Sequence, residues 1–467
     1  MVPIKRQKSN KATDSDALIR DTRNILLRYV TSGDHFVVGL SGGVDSVVLL
    51  DILAVLSQQM RFRLSAVHVN HGISKNAVEW SHFCCRLCYA YGIPIVTSYV
   101  KVAKETGMSL EAIAREKRYQ VFNRLRASGM DAVDYLVLAQ HRDDQAETLL
   151  LQLFRGAGVR GLSAMPLCRK QPSETAPQIL RPLLDVSRDS IEIYAEQRQL
   201  QWIHDESNDS TLFSRNFLRH KVFPVLREKY PNCAQALQRT SRHMAEASQL
   251  LDELAGLDAQ CCLVSGQLDI IRLRELSLSR ARNLLRYVLW QRGIQLPSTI
   301  RLEEILRQLR SVEGDTQLHI TFGNAEIRVY QGRVYIQELC KKRRATMQQE
   351  MLHWEWQNES TVTLDAWGGS IHFRRIAGQG ISQRKLLQAP VIIRSRQGGE
   401  HYRPGCNRPR RSLKNLLQEA SIPPWSRYTL PLLYCGEQLV WVPGIGIDCD
   451  FQATSEEIGI IPDWRTE

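Results

Sequence analysis

The fold of this 467-residue chain is decided by one stretch, Phe36-Val37-Val38-Gly39-Leu40-Ser41-Gly42-Gly43-Val44-Asp45-Ser46-Val47-Val48-Leu49-Leu50. Its apolar beginning is typical of a buried β-strand, and the apolar run after Ser46 is typical of a helix. The two glycines let the backbone turn tightly and approach a ligand closely. Because a helix N-terminus offers unpaired N–H groups and a partial positive charge, the stretch predicts an anion site.

We expect the anion to be the phosphate chain of a nucleotide, held by Ser41, Gly42, Gly43, Val44, Asp45 and Ser46. The stretch lacks the Gly-Lys-Ser/Thr ending of the common ATPase loop. The carboxylate of Asp45 would repel phosphate, and a bound Mg²⁺ would remove this conflict by bridging the two groups. The alternative is a glycine turn with an N-capping serine, which leaves the second serine and Asp45 unexplained.

The composition is that of an ordinary globular protein, with 43% hydrophobic and 24% charged residues. The net charge of +12 favours a polyanionic partner such as nucleic acid, although a merely basic soluble protein has the same charge. No run approaches the roughly 18 apolar residues of a membrane span, and the N-terminus lacks the apolar segment of a secretory signal. We therefore expect a cytoplasmic protein without a membrane partner, whose eleven cysteines are reduced thiols and form no disulfide framework.

Strand and helix patterns alternate through the N-terminal part of the chain. Strands are predicted at 64–70, 93–96 and 134–139, and helices at 16–29, 77–91, 109–126 and 144–154. Such alternation predicts an α/β domain with a doubly wound, mostly parallel sheet of the Rossmann-like class. In such sheets ligands bind at the carboxyl ends of the strands.

Two polar clusters outside the glycine stretch have open interpretations. His68-Val69-Asn70-His71-Gly72 could contact adenosine or form a plain polar strand exit. Glu111, Arg115 and Arg118 lie near one helical face, which could hold phosphate or a carboxylate, or could be a solvated charged face.

A third cluster, His141-Arg142-Asp143-Asp144-Gln145-Ala146-Glu147-Thr148, opens the helix after a buried strand. His141, Asp144 and Glu147 are spaced by three residues and so face one side of that helix. They could bind Mg²⁺, hold an ammonium group or accept a proton. Alternatively, the acidic residues only stabilise the helix N-terminus.

We expect three domains: a catalytic domain over 1–225, a mainly helical middle domain over 226–345 that begins with a long helix at 225–254, and a small α+β domain over 346–467. The basic run 341–344 marks a linker or contacts a phosphate backbone. The densest positive stretch lies just before and into a predicted helix at 413–419. Its candidates for contact with a nucleic-acid backbone are Arg403, Arg408, Arg410, Arg411 and Lys414.

The motif Cys85-Arg86-Leu87-Cys88 could hold zinc or an iron–sulfur cluster. No second CxxC occurs in the sequence, and this one lies in a helical pattern. We therefore expect partly buried, inert thiols.

The six residues Ser41-Gly42-Gly43-Val44-Asp45-Ser46 resemble the signature of the PP-loop ATP pyrophosphatases. Those enzymes cleave ATP between the α- and β-phosphates and activate a substrate oxygen as an adenylate. The order of the three polar clusters, of Asp205-Glu206-Ser207-Asn208 through Arg215-Asn216, and of Arg403-Pro404-Gly405 through Pro423-Pro424-Trp425 is similar to that in the tRNA(Ile)-lysidine synthetase family.

The resemblance implies a ligase that modifies the wobble cytidine of the isoleucine tRNA with a CAU anticodon. The cytosine O2 is first adenylated by ATP, with release of pyrophosphate. The side-chain amine of free lysine then attacks C2 and expels AMP. The product, lysidine, pairs with adenosine, so the tRNA changes from methionine to isoleucine specificity. The family also implies tRNA binding by the middle and C-terminal domains.

By the same resemblance, Asp45 positions Mg²⁺ while the backbone of the loop holds phosphate. Asp144 and Glu147 hold the lysine ammonium and ease its deprotonation, because an amine attacks only when neutral. Arg115 receives the lysine carboxylate. Two other functions stay open: a PP-loop tRNA thiolase that uses Cys85 and Cys88, and a non-catalytic tRNA-binding protein. The oligomeric state is not fixed by the sequence, and a homodimer is one option.

Overall fold

The computed structural model describes residues 15–102, 110–124, 133–170, 176–206, 210–211, 213–313, 318–339, 351–354, 359–406 and 409–466. The chain forms two compact units, one up to Glu253 and one from Leu254 onward. The boundaries of the three expected domains stay a prediction.

The first unit alternates helices and strands, as the sequence predicts. Its helices are α1 (Ser15–Leu26), α2 (Val44–Met60), α3 (Ala77–Tyr91), α4 (Leu110–Asn123), α5 (Arg142–Phe154), α6 (Val159–Leu162), α7 (Arg188–Gln197), α8 (Ser214–Phe217) and α9 (Phe223–Lys229), followed by α10 (Cys233–Cys262), which extends past Glu253. A π-helical segment, Leu218–Val222, joins α8 to α9. Its strands are β1 (His35–Gly39), β2 (Arg63–Asn70), β3 (Ile95–Tyr99), β4 (Tyr135–Val137), β5 (Cys168–Arg169) and β6 (Gln178–Leu180).

These six strands form one sheet in the order β3-β2-β1-β4-β6-β5. All its neighbouring pairs are parallel except β5–β6, at one edge. The predicted doubly wound, mostly parallel sheet is therefore confirmed. From β1 the chain adds β2 and β3 on one side of the sheet, and it then adds β4 and β6 on the other side of β1. The loops after β1 and β4 therefore lead to opposite sides and open a crevice between them at the carboxyl end of the sheet.

Helix α2 is apolar on all sides and therefore lies inside the core of the unit. The one carboxylate in its middle, Asp51, is 1% exposed. It accepts hydrogen bonds from the hydroxyls of Tyr91 at 2.7 Å and Tyr194 at 2.6 Å, and from Nε of Arg198 at 3.2 Å. These bonds connect α2 with α3 and with the α7 region, which fixes the helix that begins at the glycine stretch.

The single long helix predicted at 225–254 is wrong. The structure has two helices here, α9 and α10, with a break at Tyr230 (φ −125°, ψ 79°). Pro231 follows, and its ring disfavours helical backbone at the preceding residue and removes one N–H donor. The proline outweighs the apolar periodicity that suggested one continuous helix.

The second unit begins with a mixed helical and antiparallel part. Its elements after α10 are β7 (Leu263–Val264), β8 (Gln267–Asp269), α11 (Ile270–Glu275), α12 (Leu278–Gln291), α13 (Thr299–Ser311), β9 (His319–Phe322), β10 (Ala325–Tyr330) and β11 (Arg333–Glu338). The five strands pair in the order β7-β8-β11-β10-β9 and cover a core made with the helices.

The C-terminal part is α+β, as expected. Its elements are β12 (Met351–Trp354), β13 (Thr361–Leu364), β14 (Gly369–Ala377), β15 (Ile381–Ser382), α14 (Gln383–Leu386), β16 (Val391–Arg394), β17 (His401–Tyr402), β18 (Arg411–Ser412), α15 (Leu413–Glu419), β19 (Leu432–Cys435), β20 (Gln438–Val442), β21 (Gly446–Ile447) and β22 (Ile458–Thr466). They form sheets β12-β16-β19-β20-β21, β13-β14-β22-β15 and β17-β18. The helix predicted at 413–419 is confirmed. Among all the helices described in either unit, none is long and apolar enough to cross a bilayer.

We predict that Asp51→Ala lowers the free energy of unfolding by about 2–4 kcal/mol, because it leaves the buried hydroxyl of Tyr194 and the partly buried hydroxyl of Tyr91 without their acceptor. Glu196→Ala, at an exposed position of α7, should change it by less than about 0.5 kcal/mol. Urea unfolding of both variants measures the difference. Equal losses would show that the Asp51 bonds do not hold α2 in place.

Candidate functional site

The loop between β1 and α2 has a backbone shape that only glycine fits at one position. Gly42 has φ +90°, and a Cβ placed there would lie 2.7 Å from Cδ1 of Ile203 and 3.3 Å from Sγ of Cys84. Its carbonyl oxygen also accepts the N–H of Ile203 at 2.9 Å. Gly43 has φ −70°, and its Cβ would meet only Oγ of Ser41 at 3.6 Å. The first glycine is therefore required by the protein, whereas the second leaves space facing the crevice.

The two serines of the loop hold it in shape. Oγ of Ser46 accepts the N–H groups of Ser41 and Gly42, each at 3.2 Å, and donates to the carbonyl oxygen of Gly43 at 2.9 Å. Oγ of Ser41 lies 3.1 Å from Oγ of Ser46. Gly43, which has no side chain to cap the helix, stands at the N-cap of α2. In the described part of the chain no side chain caps the first N–H groups of α2, and uncapped N–H groups at a helix start can bind an anion.

The loop after β4 brings an imidazole to the same place. His141 is 2% exposed and forms the N-cap of α5, where Asp144 accepts its backbone N–H at 3.1 Å. Nε2 of His141 lies 3.5 Å from a carboxylate oxygen of Asp144 and 3.7 Å from Oδ1 of Asp45. Its Nδ1 lies 3.7 Å from Asp143. The glycine loop and the third polar cluster are thus brought together, as their positions after strands β1 and β4 predict.

The charges of this group shift its pKa values. Burial lowers the pKa of His141, but the carboxylates of Asp144, Asp143 and Asp45 outweigh burial and leave that pKa above its usual value. Burial raises the pKa of Asp45, against the opposing effects of His141 and Arg188. Burial would also raise the pKa of Asp143 and Asp144, but nearby cations hold both below the usual range. The imidazole therefore lies among three carboxylates, all of which favour its protonated form.

Arg188, which the sequence did not suggest, is bound to Asp45. Its Nη1 donates to Oδ2 of Asp45, its Nε donates to Glu192 at 2.8 Å, and its backbone N–H donates to Asp143 at 3.0 Å. The other oxygen of the carboxylate, Oδ1 of Asp45, is buried without a hydrogen-bond partner among the described residues. Nε2 of His141 lies 3.7 Å from this oxygen, which is too far for a hydrogen bond.

Glu147 is 1% exposed and is held by two arginines. Nε of Arg215 donates to one of its oxygens and Nε of Arg219 to the other, each at 2.8 Å. Nη2 of Arg219 also donates to Asp144 at 3.4 Å. The buried carboxylate therefore fixes two guanidinium groups from α8 and the π-helical segment, and Arg219 reaches the cavity described next.

These groups surround a cavity of about 530 Å³. Of the predicted site residues, Ser41, Gly43, Val44, Asp45 and Glu147 line it, together with Arg118, His141 and Asp143 from the polar clusters. Sequence reasoning missed several others that line it, namely Arg188, Arg219, Arg227, Trp80, Trp202 and Ile203. Trp202 is 40% exposed, which leaves part of its indole surface open to a flat ligand. The cavity combines cations, carboxylates and aromatic surface, as a nucleotide site requires.

Helix α4 contributes a different arginine from the expected one. Arg118 lines the cavity and donates to Nε2 of His71 at 3.2–3.3 Å, so the first and second polar clusters meet. Burial, together with the charge of Arg118, lowers the pKa of His71 to about 4 and keeps the imidazole neutral. The guanidinium of Arg115 instead lies over the ring of Tyr119, 5.7 Å from its centroid, and does not line the cavity. The helix start at 109 and its end at 126 lie outside the described residues, as does the side chain of Glu111.

The positive stretch in the second unit is ion-paired. Arg403 and Arg410 both donate to Asp450, and Arg411 donates to Glu419, while Lys414 is exposed. Arg408 lies outside the described residues, as does the basic run 341–344. The acidic partners reduce the net charge of the stretch and hold its arginines in fixed positions.

The cysteines differ from expectation at one pair. Cys406 and Cys449 form a disulfide that closes the positive stretch onto the segment of Asp450. Cys84 and Cys88 are buried on α3, and burial raises the pKa of both thiols to about 12. At neutral pH they are therefore protonated and poor nucleophiles.

Comparison with known proteins adds three domain matches. A family model described as the PP-loop domain matches residues 15–226, the TilS substrate binding domain matches 268–335, and the TilS substrate C-terminal domain matches 391–464. The chain is 47% identical over 437 residues to the tRNA(Ile)-lysidine synthase of Nitrosomonas europaea, an alignment that covers 93% of each protein. The enzyme of the same name from Azoarcus sp. is 41% identical over 91% of this chain and 90% of that one. The Coxiella burnetii enzyme is 36% identical over 95% of each chain.

We predict that Gly42→Ala lowers the free energy of unfolding by about 1–3 kcal/mol, because the new methyl group forces a disfavoured φ and meets Ile203. Gly43→Ala should cost at most about 1 kcal/mol, the usual cost of alanine at an N-cap. Chemical unfolding of the two variants measures both values. A larger loss for Gly43→Ala than for Gly42→Ala would contradict this account of the loop.

Proposed function

The chain belongs to the tRNA(Ile)-lysidine synthase family, and from this premise we propose how its cavity forms lysidine. The similarity over more than nine-tenths of the chain carries the proposal. The chain is an ATP-dependent ligase that acts on tRNA(Ile). We propose that the cytosine O2 attacks the α-phosphorus of ATP and releases pyrophosphate. The amine of lysine then attacks C2, loses a proton, and expels AMP together with that oxygen.

The glycine loop is the proposed phosphate site. The N–H groups at the start of α2 have no side-chain cap among the described residues, and the open side of Gly43 lets a phosphate oxygen approach the backbone. Arg219 and Arg188 line the same cavity and add positive charge where negative charge increases during the reaction. Trp202 offers a stacking surface for a nucleobase.

Asp45 fits a Mg²⁺ ion that is shared with the nucleotide. Its Oδ1 is buried without a hydrogen-bond partner among the described residues, which suits a hard cation. The described residues contain no group of three or more His, Cys, Asp or Glu that could hold a metal by themselves. Mg²⁺ commonly uses one or two carboxylates plus substrate phosphates, so one protein ligand is sufficient. When bound, the ion would neutralise phosphate charge, and Asp45 would hold it in place.

Asp144 and Glu147 remain our candidates for the lysine ammonium. Both now have guanidinium partners, so an ammonium that docks on either carboxylate displaces Arg215 or Arg219. A carboxylate at this place favours the charged amine during binding and accepts its proton at attack. Arg115 stays a candidate for the lysine carboxylate, and Arg118 joins it because Arg118 lines the cavity.

We predict that Asp45→Ala lowers tRNA-dependent pyrophosphate release by roughly a hundredfold or more, because the Mg²⁺ that would neutralise the phosphate charge loses its protein ligand. Binding of tRNA should remain largely intact. The assay combines the protein, ATP, labelled lysine and a transcript of the isoleucine tRNA with a CAU anticodon, and follows pyrophosphate and label in RNA. Asp21→Ala, at an exposed position of α1, is the matched control.

Label in RNA with the wild-type protein and the control, but not with Asp45→Ala, is the expected result. Near-normal activity of Asp45→Ala would refute the role of this carboxylate. Cys85→Ser combined with Cys88→Ser should leave lysidine formation unchanged, because these cysteines have no part in the proposed chemistry. Full lysidine formation by that variant would remove the thiolase alternative.

The positive stretch of the C-terminal part is our candidate tRNA contact. We predict that Arg410→Gln, Arg411→Gln and Lys414→Gln together weaken tRNA binding. They should flatten its dependence on log salt concentration by roughly one unit of slope per lost phosphate contact. Filter binding at several salt concentrations measures the slope. Arg384→Gln changes an arginine that is 81% exposed elsewhere in the same domain, and it should leave the slope unaltered. An unchanged slope in the triple variant would exclude these side chains from the RNA interface.

A further inference from the structure

Arg188 is held in place more firmly than a chance surface arginine. It begins α7 directly after the N-capping Ser187, and its backbone N–H is fixed on Asp143. Glu192, one turn further along α7, accepts its Nε at 2.8 Å. These contacts point the remaining guanidinium nitrogens at Asp45. The side chain is 35% exposed, so it borders the cavity and has room to move.

The guanidinium of Arg188 is hydrogen-bonded to the carboxylate of Asp45, which the metal would need as a ligand. Arg188 neutralises Oδ2 of Asp45, while Oδ1 is left without a hydrogen-bond partner in the described part of the chain. A carboxylate already paired with a cation is a poor ligand for Mg²⁺, which gives up its hydration water reluctantly. Without Arg188, Asp45 would lie in a cavity wall that also contains Asp143, Asp189 and Glu192, and this concentration of negative charge attracts divalent cations.

A bound polyphosphate would compete with Asp45 for the guanidinium of Arg188. Guanidinium binds phosphate in bidentate fashion, so the arginine gains a second acceptor when a nucleotide enters the loop. Asp45 is then released and can share a cation with the phosphates. We propose that Arg188 pairs with Asp45 in the nucleotide-free protein and so keeps this carboxylate from binding a divalent metal until a nucleotide is present. This inference rests on the proposed binding of ATP at the glycine loop.

The consequence is measurable without catalysis. If Arg188 occupies Asp45 in nine molecules of ten, the apparent affinity for a metal is reduced about tenfold, in proportion to the fraction that is free. Removal of the arginine should therefore tighten metal binding in the absence of nucleotide by about tenfold or more. The same change should have a smaller effect when a nucleotide is bound, because the arginine has then already left the carboxylate.

The experiment measures binding of Mn²⁺, as a paramagnetic substitute for Mg²⁺, to the full-length protein by the loss of the free-ion electron paramagnetic resonance signal. The proteins are wild type, Arg188→Gln, Arg188→Lys and Arg227→Gln, with and without a non-hydrolysable ATP analogue. Arg227 is the matched control because it lines the same cavity but pairs with Asp143. Arg188→Met, which keeps the aliphatic stem, serves if Arg188→Gln does not fold.

We expect weak binding to the nucleotide-free wild type, Arg188→Lys and Arg227→Gln, and about tenfold tighter binding to Arg188→Gln. Adding Asp45→Asn to Arg188→Gln should abolish the gain. Equal affinities of wild type and Arg188→Gln, or a gain that survives Asp45→Asn, would overturn the proposal. Neither tRNA nor lysine is present, so failure of lysidine formation in the labelling assay leaves this result unaffected, and failure here leaves that assay unaffected.

Discussion

The close packing around Gly42 is the constraint on which the site depends. The residue takes a φ of +90°, has no room for a Cβ, and accepts a hydrogen bond from the backbone of Ile203. Its N–H is in turn bound to Ser46 within the first turn of α2. The end of β1, the start of α2 and a segment 161 residues later in the chain are thus fixed against one another. A helix N-terminus can bind an anion only if its direction is fixed, and here three segments determine that direction.

Paired charges hold the rest of the cavity together. Glu147 is buried and Asp144 is partly buried, and carboxylates in such places are stable only when cations and hydrogen-bond donors surround them. Arg215, Arg219 and His141 supply those donors. Each guanidinium that stabilises a carboxylate is also a group that phosphate attracts. Under the proposed function, an incoming polyphosphate competes with these carboxylates for the arginines, and a divalent cation that accompanies it would replace the arginine at Asp45.

The parts of this molecule that local sequence encodes could be predicted. The strand–glycine–helix pattern correctly predicted β1, the loop after it and α2. The strand–helix alternation gave the parallel sheet, and the positions after strands predicted that Asp45 and His141 would meet. The helix break at Tyr230 was not predicted, because the apolar periodicity continues past Pro231. The local effect of this proline on the backbone is stronger than that periodicity. The domain boundaries and the RNA contacts of the positive stretch are still untested.

What could not be predicted is the set of long-range pairs. Arg188 contacts Asp45 across 143 residues and Arg219 contacts Glu147 across 72 residues, and no spacing rule connects positions so far apart. Arg115 and Arg118 share a helical face, yet only the packing of α4 decides which of them reaches the cavity. Trp202 belongs to no motif that is visible in the sequence. It lines the cavity because the next residue, Ile203, packs against Gly42.

Every residue that lines the cavity belongs to the first unit, and all of them except Arg227 lie within the range that the PP-loop model matches. Under the proposed function, the residues that handle phosphate therefore all belong to the first unit. The cavity has only limited charge to offer a large polyanion, because most of its arginines are already bound to carboxylates. Recognition of a tRNA needs many weak phosphate contacts spread over a wide surface, which a cavity of about 530 Å³ cannot provide. We propose this division of labour for a protein with a net charge of +12: the ion-paired arginines of the cavity position the reaction, and basic residues outside the cavity attract the RNA.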